Sequence, residues 1–202
     1  TESDGAIVFD IGGGSTELIL MRRVNGQGPF TMAGFVSVPL GVVSLADRHG
    51  GRNLAAATAK AMLKELSAAF RDARGALSSS TIDLSRFHLL GTSGTLTTLA
   101  GVKLGLQRYD RRHVDGLWLT RDDVQGVLGD VMAGDFEARA AIPCIGRDRA
   151  DLILPGCAIL STIMELLPCA RLRVDDRGPR EGLLIAMLQD HTAANNYVNG
   201  RA

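Results

Sequence analysis

The stretch FDIGGGSTELIL, Phe9 to Leu20, combines two apolar runs with three consecutive glycines and an acid on either side of them. The runs Ala6 to Asp10 and Thr16 to Met21 have the length and composition of buried strands, and a third strand is expected over Gly34 to Val38. The glycines then form the turn between the first two strands. Because glycine has no Cβ, a ligand can approach this backbone closely, and turned N–H groups form an anion site.

The polar residues around the glycines indicate a metal and phosphate site. Asp10 ends the first strand and can hold a divalent cation, for which Mg²⁺ is the expected ion. Glu17 begins the next strand, and its carboxylate is expected to lie at the same mouth of the glycine turn as that of Asp10. Phosphate oxygens are expected to meet the backbone and the two hydroxyls of the turn, that is, Gly12, Gly13, Gly14, Ser15 and Thr16.

Other glycine motifs fit this stretch poorly. A Walker loop requires a lysine after its last glycine, and a dinucleotide fingerprint would need glycine where Glu17 stands and a helix afterwards. An ordinary hairpin turn remains an alternative, although tight hairpins need only two special residues. A second polar loop follows the predicted strand Phe87 to Gly91 and opens a helix; it consists of Gly91, Thr92, Ser93, Gly94 and Thr95. It suits an anion or a ribose-like polyol as ligand, or is an ordinary helix cap.

The remaining pattern predicts one α/β domain with an early antiparallel ribbon. Helices are expected over Leu54 to Arg74, over Val124 to Met132 behind a Thr120–Asp123 capping box, over Asp151 to Leu167 with a start or kink at Pro155, and from Pro179 through Leu188. The polar tail, residues 192–202, is expected to fray.

Composition limits the class of function. The 202 residues carry 22 basic and 22 acidic side chains, which disfavours a nucleic-acid or membrane binder. The chain has neither a secretory leader pattern nor an apolar run of membrane-spanning length. Its 3 cysteines lack metal spacing and are expected to be reduced. A cytoplasmic protein is therefore predicted.

With these motifs in hand, the chain resembles the exopolyphosphatase and guanosine pentaphosphate phosphohydrolase (Ppx/GppA) family, within the superfamily of sugar kinases, Hsp70 proteins and actin. The matching stretches, in the family's order, are DIGGGSTEL (Asp10 to Leu18), GTSGT (Gly91 to Thr95), RADLILPGCAIL (Arg149 to Leu160) and REGLL (Arg180 to Leu184).

The resemblance implies a ribonuclease-H-like domain, a mixed sheet flanked by helices, spanning 1–202. It implies hydrolysis of a terminal phosphate from polyphosphate or guanosine pentaphosphate, with Asp10 and Glu17 around the metal. Both glycine-containing loops and Arg149 would contact phosphate, and the REGLL start would be structural.

The resemblance also implies that this chain is one lobe of a bilobed enzyme, because family members carry a homologous N-terminal lobe that supplies the general base. The chain alone is then expected to be inactive, and a homodimer is a further candidate assembly. Two alternatives stay open: an ATP-binding lobe of a superfamily kinase or ATPase, and a non-catalytic sensor of polyphosphate or guanosine tetraphosphate. The basic cluster Arg108, Arg111, Arg112 and His113 is interpreted either as a polyphosphate track or, more simply, as a charged surface loop.

Overall fold

The computed structural model describes residues 4–24, 27–52, 56–77, 83 and 86–198. The strands are β1 (Gly5–Ile11), β2 (Thr16–Val24), β3 (Gln27–Val38), β4 (Phe87–Thr92), β5 (Trp118–Thr120) and β6 (Arg171–Asp175). The helices are α1 (Val42–His49), α2 (Ala56–Leu77), α3 (Gly94–Lys103), α4 (Arg111–Val114), α5 (Arg121–Ala133), α6 (Phe136–Ala141), α7 (Ile153–Leu166) and α8 (Pro179–Val198).

The strands form one mixed six-stranded sheet in the order β3-β2-β1-β4-β6-β5. The first three strands pair antiparallel, β4 and β6 run parallel to β1, and β5 pairs antiparallel with β6. This is the mixed sheet with flanking helices that the family resemblance implies.

Alternation along the strands separates a buried face of the sheet from an open one. Phe9, Leu18 and Leu89 are fully buried and belong to the core that α2, α3 and α7 also supply. The intervening residues Asp10, Glu17 and Thr92 are only half-buried, so they lie on the other face. The open face therefore carries the acids of the opening motif.

The predicted elements are present, with shifted boundaries and some additions. The Thr120–Asp123 capping box opens α5, and α8 starts at Pro179. Helix α7 begins at Ile153 rather than at Pro155, which occupies the first turn, where a missing N–H costs no helical hydrogen bond. Sequence analysis did not predict α1, α4, α6, β5 or β6, and the predicted helix start at Leu54 lies outside the described residues.

Helix α8 extends to Val198 and so includes part of the polar tail, whose fraying stays a prediction. No glycine or proline interrupts 183–198, and alanines within it favour a helix, so the segment can continue the preceding turns. Residues 199–202 lie outside the described ranges.

The cysteines Cys144, Cys157 and Cys169 are free thiols, as expected. None of the helices in the described part of the chain combines the length and apolarity that a membrane span requires.

Candidate active site

The two acids of the opening motif are direct cross-strand neighbours. Asp10 on β1 pairs with Glu17 on β2 and, on its other side, with Thr92 on β4. Thr92 pairs in turn with Asp175 on β6. Because paired residues point to the same face of a sheet, these four side chains form one row across the open face.

The environment of the row shifts the pKa of the Asp10 carboxyl. Burial, and then the neighbouring charge of Glu17, raise the pKa of the Asp10 carboxyl. Glu17 is held by hydroxyls: its Oε1 accepts from Ser15 Oγ at 2.6 Å and from Ser37 Oγ at 2.8 Å. Two adjacent carboxylates of this kind attract a cation, which would relieve their repulsion.

The glycine turn is held in place by the start of α1. The carbonyl of Gly12 accepts from Val42 N at 3.0 Å, and that of Gly13 accepts from Val43 N at 2.8 Å. Gly41 must be a glycine here, because a Cβ would lie 2.5 Å from the carbonyl oxygens of both Gly12 and Gly13. With these carbonyls turned towards α1, the N–H groups of Gly13 and Gly14 donate to no atom of the described residues.

The glycine turn and the second loop line a common space. The glycine-loop cavity, about 260 Å³, is formed by both loops and by the segment that leads into α7. Its lining includes Gly12, Gly13, Gly94, Thr95 and Arg149. The Arg149 guanidinium donates to Thr98 Oγ1 at 2.9 Å, and no carboxylate among the described residues pairs with it. An anion in this cavity would meet unpaired N–H groups and a cation.

A second cavity lies on the other side of Gly94. The carboxylate cavity, about 250 Å³, is lined by Asp10, Thr92, Ser93 and Gly94, by Asp175 and Asp176, and by the beginning of α8, with Arg180 and Glu181. Glu181 accepts from Gly178 N at 2.9 Å and so caps α8. The REGLL start therefore lines this cavity as well as opening a helix, which the sequence interpretation did not anticipate.

Four predicted phosphate ligands are placed differently from the expectation. Thr16 is fully buried and donates its hydroxyl to Leu40 O at 2.7 Å, because it lies on the core face opposite Ile11. Gly91 is also on the core face, where a Cβ would lie 2.6 Å from the Phe9 ring. Ser15 donates to Glu17, and Gly14 is exposed at the turn without lining either cavity.

Ser93 is the N-cap of α3, and residues of the basic cluster form ion pairs within the chain. Ser93 has a φ of 141°, and its Oγ accepts from Leu96 N at 3.4 Å, so it caps α3. In the basic cluster, Arg111 pairs with Asp176, while Arg112 and His113 both pair with Asp110. These internal ion pairs favour the surface-loop interpretation of the cluster over a polyphosphate track.

A divalent cation fits the donor set at Asp10 and Glu17. Within the described ranges, no three histidine, cysteine, aspartate or glutamate side chains converge as a metal site. Mg²⁺ nevertheless commonly binds through one or two carboxylates, with waters and substrate phosphates completing its shell. The row offers just such a pair, next to a phosphate-sized cavity.

Comparison with known proteins identifies the family of the chain. The profile of the Ppx/GppA phosphatase family matches residues 1–191. A Haemophilus influenzae protein to which exopolyphosphatase activity is ascribed is 25% identical, with 96% of this chain and 55% of the relative covered.

Solved structures share the fold. An Aquifex aeolicus Ppx/GppA family member superposes with a TM-score of 0.78 at 24% identity, over 95% of this chain and 58% of the other. A Cytophaga hutchinsonii exopolyphosphatase gives a TM-score of 0.77 at 21% identity, over 94% and 58%. The chain thus spans a little over half the length of these relatives. Its fold is the ribonuclease-H-like fold of that group, and the chain belongs to the Ppx/GppA phosphatase family.

Proposed function

We propose that this chain is the phosphate-binding lobe of a phosphohydrolase that removes the terminal phosphate of polyphosphate or of guanosine pentaphosphate. The observation that carries the proposal is the pairing of Asp10 with Glu17 across the glycine turn, whose Gly12 and Gly13 line the glycine-loop cavity while Asp10 lines the carboxylate cavity. Membership of the Ppx/GppA family supports it, as does the exopolyphosphatase name of the Cytophaga relative.

In this proposal the terminal phosphate lies in the glycine-loop cavity. The free N–H group of Gly13 donates to its oxygens, and Arg149 forms charge-assisted hydrogen bonds to them. The N-terminus of α3, at Gly94 and Thr95, contributes further N–H groups and its dipole. These donors are fixed before substrate arrives, so they stabilise the charge of the transferred group at little reorganisation cost.

Asp10 and Glu17 would hold the divalent cation. A bound Mg²⁺ would neutralise charge on the phosphoryl oxygens. The hydroxyls of Ser15 and Ser37 orient Glu17 for this task, while Asp10 is oriented by the strand pairs on both sides.

The general base is proposed to lie in another part of the protein. The relatives are longer than the region matched here, and a second lobe would complete the crevice that the open cavities of this chain begin. General-base assistance contributes about a hundredfold to ten-thousandfold, and the second lobe would also position the substrate.

The 202-residue chain alone is therefore expected to release almost no phosphate from polyphosphate, whereas the product of the complete gene should do so with Mg²⁺. The test is orthophosphate release by both proteins, with an Asp10→Asn variant of each to exclude a contaminant. Robust, Asp10-dependent release by the isolated chain would contradict the two-lobe proposal. The absence of release by the complete gene product would contradict the hydrolase function itself.

A further inference from the structure

An aromatic side chain flanked by two arginines lies on the open face of the sheet, away from both cavities. This cationic–aromatic patch consists of Trp118 on β5 with Arg171 and Arg173 on β6. The guanidinium carbons of Arg171 and Arg173 lie 4.9 and 5.8 Å from the centre of the Trp118 ring. Trp118 remains 42% exposed, and its ring also meets that of His88 edge-on at 5.1 Å.

Strand register places the patch on the same face as the acids of the candidate site. Arg173 pairs with Trp118 on one side and with Leu90 on the other, one row behind the Asp10–Thr92–Asp175 row. Asp10 and Arg173 are thus two strands and two residues apart. At about 4.8 Å per strand and about 3.3 Å per residue, their Cα atoms are separated by ~12 Å along the sheet.

The positive charge of the patch is not neutralised within the described structure. Arg171 and Arg173 have no ion-pair partner among the described residues, whereas nearby Arg111 and Arg177 pair with Asp176 and Asp115. Asp175, the next acid along β6, attracts Arg173 electrostatically but forms no salt bridge with it, and burial is the main cause of the raised pKa of Asp175. Burial and the two arginines lower the pKa of His88, so this ring stays neutral at pH 7.

Protection of the sheet edge is an alternative explanation. Charged side chains on an edge strand discourage pairing with other chains, and Arg171 and Arg173 lie next to the edge strand β5. This explains charge near the edge but not a half-exposed indole at its centre. Stacking on an aromatic ring leaves the N–H edge of a guanidinium free and pre-orients it, which is the arrangement that suits phosphate.

We propose that the cationic–aromatic patch binds the distal part of an extended phosphate chain that passes the row of Asp10 and ends with its terminal group in the glycine-loop cavity. The placement of the terminal group rests on the proposed function. A single phosphate cannot bridge ~12 Å, so the ligand class is a linear polyphosphate of several units rather than orthophosphate. The patch would favour long chains because each further phosphate near Arg173 and Arg171 gains charge-assisted hydrogen bonds.

Trp118 makes the proposal directly measurable, since it is the only tryptophan in the chain. The 202-residue protein would be titrated with linear polyphosphate while indole fluorescence and binding heat are followed in parallel. We expect a saturable fluorescence change with polyphosphate and none with orthophosphate at the same total phosphate concentration. Arg173→Gln should weaken polyphosphate binding about tenfold or more, the effect of losing a hydrogen bond to a charged group.

Arg147→Gln is the matched control, because Arg147 is exposed, pairs with Glu137 and lies outside the sheet. It removes the same charge and should leave affinity nearly unchanged. Equal losses in the two variants would show nonspecific attraction and overturn the patch. Heat of polyphosphate binding without a change in indole fluorescence would also overturn the patch. Protection of Trp118 from iodide quenching in the ligand-free complete gene product would do the same, because it would mean that protein covers this face.

Two experimental outcomes distinguish an error in this inference from an error in the proposed function. Turnover by the complete gene product that is unaffected by Arg173→Gln at limiting polyphosphate would contradict the patch and leave the hydrolase proposal intact. Arg173-dependent polyphosphate binding by an Asp10→Asn protein, without turnover by the wild type, would support the patch and contradict the hydrolase proposal.

Discussion

Asp10 has a carboxylate neighbour on one side and a hydroxyl neighbour on the other, and this placement makes its charge unfavourable in the absence of a cation. Burial is the main cause of its raised pKa, and Glu17 adds to it. For an acid whose pKa is higher in the folded than in the unfolded state, ionisation at neutral pH costs stability. Without a bound cation, the folded protein is thus less stable with an ionised Asp10 than with a neutral residue at this position.

Asp10→Asn is therefore expected to increase the free energy of unfolding slightly at pH 7 in metal-free buffer. The gain should shrink as the pH falls through the folded-state pKa, because wild-type Asp10 then becomes neutral as well. Urea denaturation at several pH values measures both effects. Asp72→Asn, on the exposed side of α2, is the control and should change little. Destabilisation by Asp10→Asn at pH 7 would mean that the carboxylate has a stabilising partner.

Gly41→Ala is expected to destabilise the protein by about 1–3 kcal/mol, the usual cost of forcing an extra carbon into a packed site. The added Cβ would lie 2.5 Å from two carbonyl oxygens of the glycine turn, so phosphate binding should fall with stability. Gly126→Ala is the control: its Cβ meets nothing within 4 Å, and removing a helical glycine should gain about 0.5–1 kcal/mol. Urea melts that rank the two variants equally would contradict this role of Gly41.

Residue-level prediction from sequence was limited by side-chain direction. The motif correctly places Asp10 and Glu17 side by side at the end of the first hairpin. Because side chains alternate along a strand, Glu17 on the open face places Thr16 in the core, a consequence that the interpretation of the motif as a phosphate loop overlooked. Gly91 likewise looks like a ligand-contacting glycine, yet it makes room for the Phe9 ring.

At the scale of elements, α1 links the glycine turn to the helical layer. Its first N–H groups hold the turn, and its last residues, Arg48 and His49, both bind Glu65 of α2, with His49 Nε2 at 2.7 Å from Glu65 Oε2. The hydrogen bond to His49, followed by the contacts with Arg48, lowers the pKa of Glu65 against the effect of burial. This contact thus supports the site from a distance.

Glu65→Gln should lower the free energy of unfolding at pH 7 by up to about 1 kcal/mol, the range of partly exposed ion pairs. Because the folded-state pKa of Glu65 is lowered, its contribution is present above the ordinary value and is lost as the pH falls through the folded value. The difference between wild type and variant should therefore vanish in acid, as measured by urea denaturation. Glu137→Gln, which breaks an exposed pair with Arg147, should show almost no difference at either pH. A Glu65→Gln effect that persists in acid would contradict the electrostatic explanation.

The site residues that sequence analysis did not predict lie on, or directly after, a strand that it also did not predict. Strand β6 has only 5 residues and alternates arginine with apolar side chains, so it lacks the continuous apolar run that marked β1 and β4. Its pairing with β4 nevertheless brings Asp175 beside Thr92, and its connection to α8 brings Arg180 to the carboxylate cavity. Such neighbours follow from strand order, which local sequence does not determine.

At the scale of the whole molecule, the fold gathers residues distant in sequence at one end of the sheet. The glycine turn, the Gly94 loop and the start of α8 all follow strands whose ends meet there, as ligand sites in such sheets commonly do. The open face continues from this end towards Trp118. The motifs predicted that the two glycine-containing loops follow strands and share a crevice, but they did not predict that the start of α8 joins them.

The most direct test of the central claim is Mg²⁺-dependent release of orthophosphate from linear polyphosphate by the complete gene product, comparing wild type with Asp10→Asn. Each protein would first be shown to be folded by its thermal melt. We predict that wild type releases terminal phosphate with saturable dependence on Mg²⁺, and that Asp10→Asn loses about a hundredfold or more in turnover, as expected for a group that stabilises transition-state charge. Near-normal turnover and Mg²⁺ dependence in a folded Asp10→Asn protein would contradict the account.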